Sequence, residues 1–536
     1  MRFKRIPVFQ CCVAICAAFL TVPALAEEVT STESDEVVTL LFTNDFESVY
    51  DPIEAFWLED VERIGGLAQL STMIGQIREE EPDLFLFDAG DIFTGALAKL
   101  TNGRLSFELM ITMDYDAMAI GNHEFEYGEQ VLQWEKNRVP FPVLGANLFY
   151  KDTDHPFAQP HAIIERDGVR IGVIGIMGQD AATAIIPSFI DDLDVIEPAI
   201  AVRRSVEALR DEVDLIVVLT HQGKTAPMQT DAESDPRLDR GVAADIALAG
   251  AVPGIDVIFG GHSDAGTPKP VIHPDTGTII MQTYGQGTHL GILRVALDRV
   301  NGGITSYNGE LLPVVSHELE PDRRIAEKIQ AYRARFPELR EPVGRTSKIM
   351  FRRYIEESTL GNLFADIYRE AAGADIGFVH SGSLRKDLSG GVVSRVDLLD
   401  VYPFVDSVVK VRLTGAQLRE VLEQSLTLER GLLQASGLWL EYDLSRPIGD
   451  RLVDLRVGGQ EIGDDATVTV AVAGFLAEGG DLYSTFPEGE TVEVFGKVSD
   501  EVIDYFAKSD LIEPPALGRQ VASGGQPPSA QTIAKR

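Results

Sequence analysis

The chain is predicted to be α/β, on three observations. Short apolar runs alternate with amphipathic stretches from about residue 37 to 300. Several runs are β-branched and apolar throughout, as strands buried on both faces are. Five of them end in a polar cluster. The 536 residues are 45% hydrophobic and 24% charged, ordinary globular proportions. At about 100–200 residues per domain, two or three domains fit. The formal charge of −36 argues against a nucleic-acid polymer or an anionic membrane surface as partner, since both would repel it.

In chain order, residues 1–26 read as a cleavable secretory signal peptide. Arg2, Lys4 and Arg5 give a basic start, and Ala24-Leu25-Ala26 supplies a small-x-small cleavage site. The apolar run between them, 13–20, is shorter than the roughly 20 residues a membrane span needs. Cleavage removes three cations and no anions, taking −36 to −39, and removes all three cysteines, Cys11, Cys12 and Cys16. A mature chain without disulfides or thiolate chemistry fits a bacterial periplasm, and no stable membrane insertion is expected of it. Predicted strands follow at 37–42, 84–87, 117–120, 171–176, 215–219, 257–259 and 279–281. They belong to a catalytic domain at 37–317. Residues 318–335 read as a solvated helix, charged on most sides, within a linker at 318–342. A second unit occupies 343–510, and 511–536 form a frayed tail.

The strand ends carry the chemistry. Run 37–42 leads into Thr43-Asn44-Asp45-Phe46-Glu47, and 84–87 into Asp88-Ala89-Gly90-Asp91. Run 117–120 leads into Gly121-Asn122-His123-Glu124, with Glu126 just beyond. Runs 215–219 and 257–259 lead into Thr220-His221-Gln222-Gly223 and Gly260-Gly261-His262-Ser263-Asp264. Ligands of open α/β sheets sit beyond the carboxyl ends of the strands, so the five loops can converge on one pocket. Asp45, Glu47, Asp91, Asn122, His221, His262 and Asp264 would then share it. Carboxylates crowded this closely repel one another unless cations are present. Two divalent ions roughly 3.5–4 Å apart relieve that repulsion, clamp a phosphate and lower the pKa of a bound water.

This set, in this order, resembles the calcineurin-like metallophosphoesterases, and Gly121-Asn122-His123-Glu124 and Gly260-Gly261-His262-Ser263 carry most of the likeness. Over residues 37–500 the chain is similar to the secreted 5′-nucleotidase and UDP-sugar hydrolase family. Its C-terminal half contributes Gly361-Asn362-Leu363, Tyr402-Pro403-Phe404, Leu413-Thr414-Gly415 and Gly474-Phe475-Leu476, the last leading to Asp481. The resemblance implies a four-layer α/β/β/α metallophosphoesterase domain, a helical linker and a C-terminal α/β nucleotide-specificity domain. It also implies one metal on Asp45, Glu47, Asp91 and Asp264, and a second on Asp91 as bridge, Asn122, His221 and His262. It puts His123 over the phosphate with Glu126 orienting its imidazole. Phe404 and Phe475 would sandwich a base, Asp481 would meet the ribose or base edge, and Arg385 the phosphate or ribose side.

Three departures follow from the alignment of motifs. The family's D-x-H is Asp45-Phe46-Glu47 here, and its last position, commonly His, Gln or Asn, is Asp264. An oxygen-rich site favours Mn²⁺ or Mg²⁺ over Zn²⁺, with Ca²⁺ and iron as further candidates. Third, His380-Ser381-Gly382-Ser383-Leu384-Arg385 stands for the family's N-G-G-G-I-R, and Tyr354 for an arginine, with Arg353 and Arg352 displaced by one and two. The expected function is a periplasmic two-metal 5′-nucleotidase of nucleotide catabolism, acting on a small-molecule nucleotide. Its enzymatic alternative is a cyclic-nucleotide phosphodiesterase or nucleotide-sugar pyrophosphatase. The alternative of another class is a non-catalytic metal- or nucleotide-binding protein.

Overall fold

The computed structural model describes residues 35–55, 57–224, 241–300 and 302–523. The leader and the end of the tail lie outside them. Four strands come first: β1 (Asp35–Thr43), β2 (Phe85–Asp88), β3 (Ala117–Ala119) and β4 (Val143–Leu144). Six follow: β5 (His161–Arg166), β6 (Val169–Met177), β7 (Leu215–Gln222), β8 (Val257–His262), β9 (Val271–Ile272) and β10 (Ile279–Gln282). Two longer ones, β11 (His289–Asp298) and β12 (Ile304–Pro313), complete this half.

They form two six-stranded sheets, ordered β12-β11-β1-β2-β3-β4 and β9-β10-β8-β7-β6-β5. The central pairs β1–β2–β3–β4 and β6–β7–β8–β10 are parallel, and β5, β9, β11 and β12 pair antiparallel at the flanks. The two sheets face each other. Along β1, Val38, Leu40 and Phe42 point into the core between them, as do Leu215, Val217 and Leu219 of β7. Phe42 stacks on Phe259 of the opposite sheet, with centroids 4.1 Å apart. The alternate residues look outward. Leu41 joins a core under the helices Leu67–Glu80 and Arg104–Thr112, and Ile216 and Val218 one under Pro198–Leu209. A strand buried on both faces has no polar alternation, which is why these runs read as flat apolar segments. The layers are therefore α/β/β/α, as the family resemblance implies.

The C-terminal half is α/β around a five-stranded mixed sheet, with a second, four-stranded sheet in which Gln520–Ala522 pairs with Leu438–Tyr442, so the start of the expected frayed tail is ordered. The five strands are β13 (Ile376–Val379), β14 (Ser407–Thr414), β15 (Gln434–Ser436), β16 (Thr467–Ala473) and β17 (Glu490–Lys497), in the order β15-β13-β16-β14-β17. Ala471 and Ala473 of β16 face the helices Thr359–Ala372 and Val498–Ala507, while Val468, Val470 and Val472 face the helix Gly415–Ser425. The helix Thr359–Ala372 is set at its start by the Ser358 hydroxyl, which accepts from the Gly361 amide, and stops at left-handed Gly373.

Between the halves, the helix Arg323–Arg333 differs from the solvated connector expected of 318–335. Its Ile325, Ile329 and Tyr332, spaced four and three residues apart, are buried against the helices Leu67–Glu80 and Arg104–Thr112. Three apolar residues on one stripe outweigh a charged remainder, so the helix is anchored to the catalytic half.

Candidate active site

Strands β1, β2, β3, β7 and β8 all deliver their carboxyl ends to one place. Backbone bonds staple the loops there. The Asp45 amide donates to the Gly90 carbonyl and the Glu47 amide to the Asp91 carbonyl, both at 2.9 Å. The turns are tight enough that Asp45 (φ 53°), Glu47 (44°), Asp91 (59°), His262 (70°) and Asp264 (50°) adopt left-handed backbone. Such conformations cost roughly 1–3 kcal/mol at a residue other than glycine and persist only where surrounding structure enforces them. Gly121 answers a different need, close approach: a Cβ there would lie 2.2 Å from Asp91 Oδ1.

Asp91 is the hub. Its Oδ2 lies 3.0 Å from His221 Nε2, and its Oδ1 accepts the His123 amide at 2.8 Å. His221 Nδ1 donates to the Ala89 carbonyl at 2.8 Å, which leaves Nε2 as the atom turned toward Asp91 and Asn122 Oδ1, 3.2 Å away. Asp91, His221 and His262 can each aim one ligand atom within 4.8 Å of the others, and the buried His262 Nε2 has no hydrogen-bond partner among the described residues. A buried ring nitrogen left bare beside a carboxylate fits a metal ligand. Asp45 Oδ2 accepts from Asn44 Nδ2 at 2.7 Å and from the His262 amide at 3.0 Å.

Electrostatics follow from this crowding. Burial, reinforced by Asp91, pushes Asp45 up to about 6. Burial works against a charged His221, yet the Asp91 carboxylate outweighs it and lifts the imidazole to about 10. Burial and His221 together hold His262 well below its usual range. His123 shows the same contest as His221: burial lowers it, while Asp91 and the Glu126 contact raise it to about 10. Its Nδ1 lies 2.7 Å from Glu126 Oε1.

Glu124 escaped the sequence reading as a site residue. It is fully buried and accepts the amides of Asp91 (2.9 Å), Ile92 (2.8 Å) and Gly121 (2.7 Å), tying the β2 loop to the β3 loop. A carboxylate three residues past a glycine at a strand end is the signal that was available.

One cavity joins this centre to the C-terminal half. Asp45, Glu47, Asp91, Asn122, His123, Glu126, His262 and Asp264 line one side, with His221 buried beneath. Arg385, His380, Phe404, Phe475 and Asp481 line the other. Phe404 stacks on His123 at 6.1 Å. Glu47 is turned toward the second domain, where the Arg385 guanidinium contacts it directly, and its Oε1 lies 3.5 Å from His123 Nε2. Burial pulls Arg385 down to about 10, against the pull of Asp45. His380 Nδ1 accepts the Gly382 amide at 3.1 Å, which turns Nε2 to Asp481 Oδ2, 3.1 Å away. Lys99 donates to the Phe404 carbonyl at 2.6 Å and so ties the two halves beside the cavity. Arg353 is not among the residues lining the cavity. Its guanidinium lies 5.1 Å over the Phe351 ring and donates to the Arg352 carbonyl, so Arg352 and Tyr354 line the cavity instead.

An acid- and imidazole-lined centre at the carboxyl ends of a two-sheet domain, faced by aromatic rings from a second domain, defines a metal-dependent phosphoester hydrolase. Residues 38–264 match the calcineurin-like phosphoesterase family, and residues 342–488 match the 5′-nucleotidase C-terminal domain. The chain therefore carries a calcineurin-like phosphoesterase domain followed by a 5′-nucleotidase C-terminal domain. It is 27% identical over 551 residues to a 5′-nucleotidase of Vibrio cholerae, covering 94% of this chain and 95% of that one. It is 29% identical over 511 residues to the trifunctional nucleotide phosphoesterase protein YfkN of Bacillus subtilis, covering 84% of this chain but only 33% of that longer one. The crystal structure of a 5′-nucleotidase precursor from Thermus thermophilus superposes with a TM-score of 0.79 at 25% identity, over 92% of this chain and 100% of that one.

Proposed function

We propose that this protein is a periplasmic two-metal 5′-nucleotidase that releases phosphate from nucleoside 5′-monophosphates. The observation that carries the reading is that the carboxylate–imidazole centre and the C-terminal rings face each other across one shared cavity. A phosphate and an aromatic leaving group need those two walls at once. Asp45, Glu47, Asp91 and Asp264 would hold one divalent ion, and Asp91, Asn122, His221 and His262 the other. Ions there would clamp the phosphate and activate water for in-line attack on phosphorus. His123, with Nδ1 held by Glu126, keeps Nε2 toward the centre, where it stabilises charge on the phosphate or protonates the leaving oxygen. Arg385 would exchange Glu47 for a phosphate oxygen, while Phe404 and Phe475 stack on the base and Asp481 accepts from the ribose or base edge.

The periplasmic assignment rests on the leader pattern at 1–26. Among the described residues no helix is long and apolar enough to cross a membrane. A retained His123–Glu126 pair favours turnover over binding alone, since holding metal or nucleotide does not require it. The test is phosphate release with Mn²⁺ across 5′-nucleotides, 3′-nucleotides, cyclic nucleotides and UDP-sugars. Preference for 5′-monophosphates supports the proposal. A flat response refutes it in favour of a general phosphatase, and preference for cyclic nucleotides or UDP-sugars in favour of those activities.

A further inference from the structure

The cavity has a wall that neither the metal centre nor the C-terminal rings account for. After β6 the chain turns through the short helix Gln179–Ala182, and Ala184, Ile185, Ile186 and Phe189 then face the cavity from the catalytic half. Three hydrogen bonds hold this stretch against the C-terminal half. The Asp481 amide donates to the Thr183 carbonyl at 2.8 Å, Arg430 Nη2 to Thr183 Oγ1 at 2.9 Å, and the Ser188 amide to Glu478 Oε2 at 2.9 Å. The same Arg430 places Nε 3.5 Å from Asp481 Oδ1, opposite the oxygen that His380 approaches. The Phe475 ring lies close by: a Cβ at Gly480 would stand 2.2 Å from it.

From this placement we infer that segment 183–189 is the catalytic half's own share of the leaving-group pocket. Its apolar side chains lie against the nucleoside, so both halves, rather than the C-terminal rings alone, set the preference for a flat, uncharged leaving group. The inference rests on the nucleotidase reading of the site. Its physical basis is desolvation. A flat apolar face packed on Ile186 and Phe189 loses only water, whereas an added phosphate or sugar hydroxyl there would lose its hydration without gaining a partner. Thr183 and Ser188 engage the other half largely through backbone groups, which fixes the position of the wall.

The test uses the full chain loaded with Mn²⁺ and the variants Ile186→Ser and Phe189→Ala. Both side chains are half-buried at the cavity rather than in the sheets. Binding of adenosine and of uridine is measured by calorimetry, and phosphate release from their 5′-monophosphates by steady-state kinetics. Expected are about ten-fold weaker nucleoside binding and about ten-fold higher KM, with kcat and Mn²⁺ affinity held within about two-fold. Thr183→Val, which removes the hydroxyl's contacts with Arg430 and with the Asp180 carbonyl, should move KM the same way by a smaller factor. Nucleoside affinity unchanged in Ile186→Ser and Phe189→Ala would overturn the inference, and so would parallel loss of kcat and Mn²⁺ affinity, the mark of a structural role. A wild-type chain that binds nucleosides, weakens as expected in the variants, yet releases no phosphate from 5′-nucleotides would sustain the wall and sink the nucleotidase reading.

Discussion

With His221 as a metal ligand, as proposed, the position of one proton on its ring makes metal binding steeply pH-dependent. Its Nδ1 is committed to the Ala89 carbonyl, so Nε2 is the only nitrogen it can offer an ion. Nε2 faces Asp91 Oδ2 at 3.0 Å, and this partner, against the opposing effect of burial, raises the imidazole to about 10. A raised value means the proton is bound at neutral pH, and an ion must displace it. One proton released per ion makes the apparent affinity climb about ten-fold per pH unit. Below pH 6, Asp45, raised to about 6 chiefly by burial, should add a second proton and a steeper slope. Calorimetric titration of EDTA-stripped protein with Mn²⁺ at pH 6.5, 7.5 and 8.5 should show about a hundred-fold gain over the two units. Repeating it in two buffers of different ionisation enthalpy counts the protons. Affinity flat across that range, with no proton released, would refute the placement of His221 as a ligand through Nε2. Stability carries the opposite sign. A folded value raised from 6.5 to about 10 contributes stability that is complete below 6.5 and lost as pH rises through 10, so the Tm of stripped protein should fall across that window.

Three further outcomes are expected. His123→Ala should lower kcat by about 10²–10⁴ while Mn²⁺ stoichiometry stays unchanged, because the side chain faces the centre from outside the Asp91–His221–His262 cluster; lost metal would recast it as structural. Glu124→Ala strands three buried amide donors and should cost at least about 3 kcal/mol in urea unfolding, with Glu124→Gln milder because one acceptor oxygen remains. Stripped enzyme should regain activity with Mn²⁺ or Mg²⁺, and full recovery with Zn²⁺ alone would contradict the oxygen-rich reading of Glu47 and Asp264.

The catalytic loops were legible because each is contiguous: an apolar strand and its polar end sit within ten residues of sequence, and topology alone brings five such ends together. The antiparallel strands β11 and β12 were harder to see. β12 is half-exposed, with alternating burial rather than a flat apolar run. The helix Arg323–Arg333 misled through composition, since three buried side chains suffice to anchor eleven residues that are otherwise charged. Segment 183–189 could not be read at all. Its apolar residues look like any loop packed on a core, and only their meeting with Asp481 and Arg430, some 250–300 positions away, gives them a place. Arg352 and Arg353 differ in sequence by one position but in direction by half a turn of extended chain, which no spacing rule decides.

The left-handed backbone at Asp45, Glu47, Asp91, His262 and Asp264 has a consequence for how this chain can change. Glycine would relax the backbone at each of those positions, yet each side chain is also one that the proposed centre needs, so relief of strain and loss of the site come together there. Glycine at any of the five should therefore lower Mn²⁺ affinity, whatever it does to the Tm. Only a screen that demands turnover, run with Mn²⁺ present, would keep these strained side chains in place.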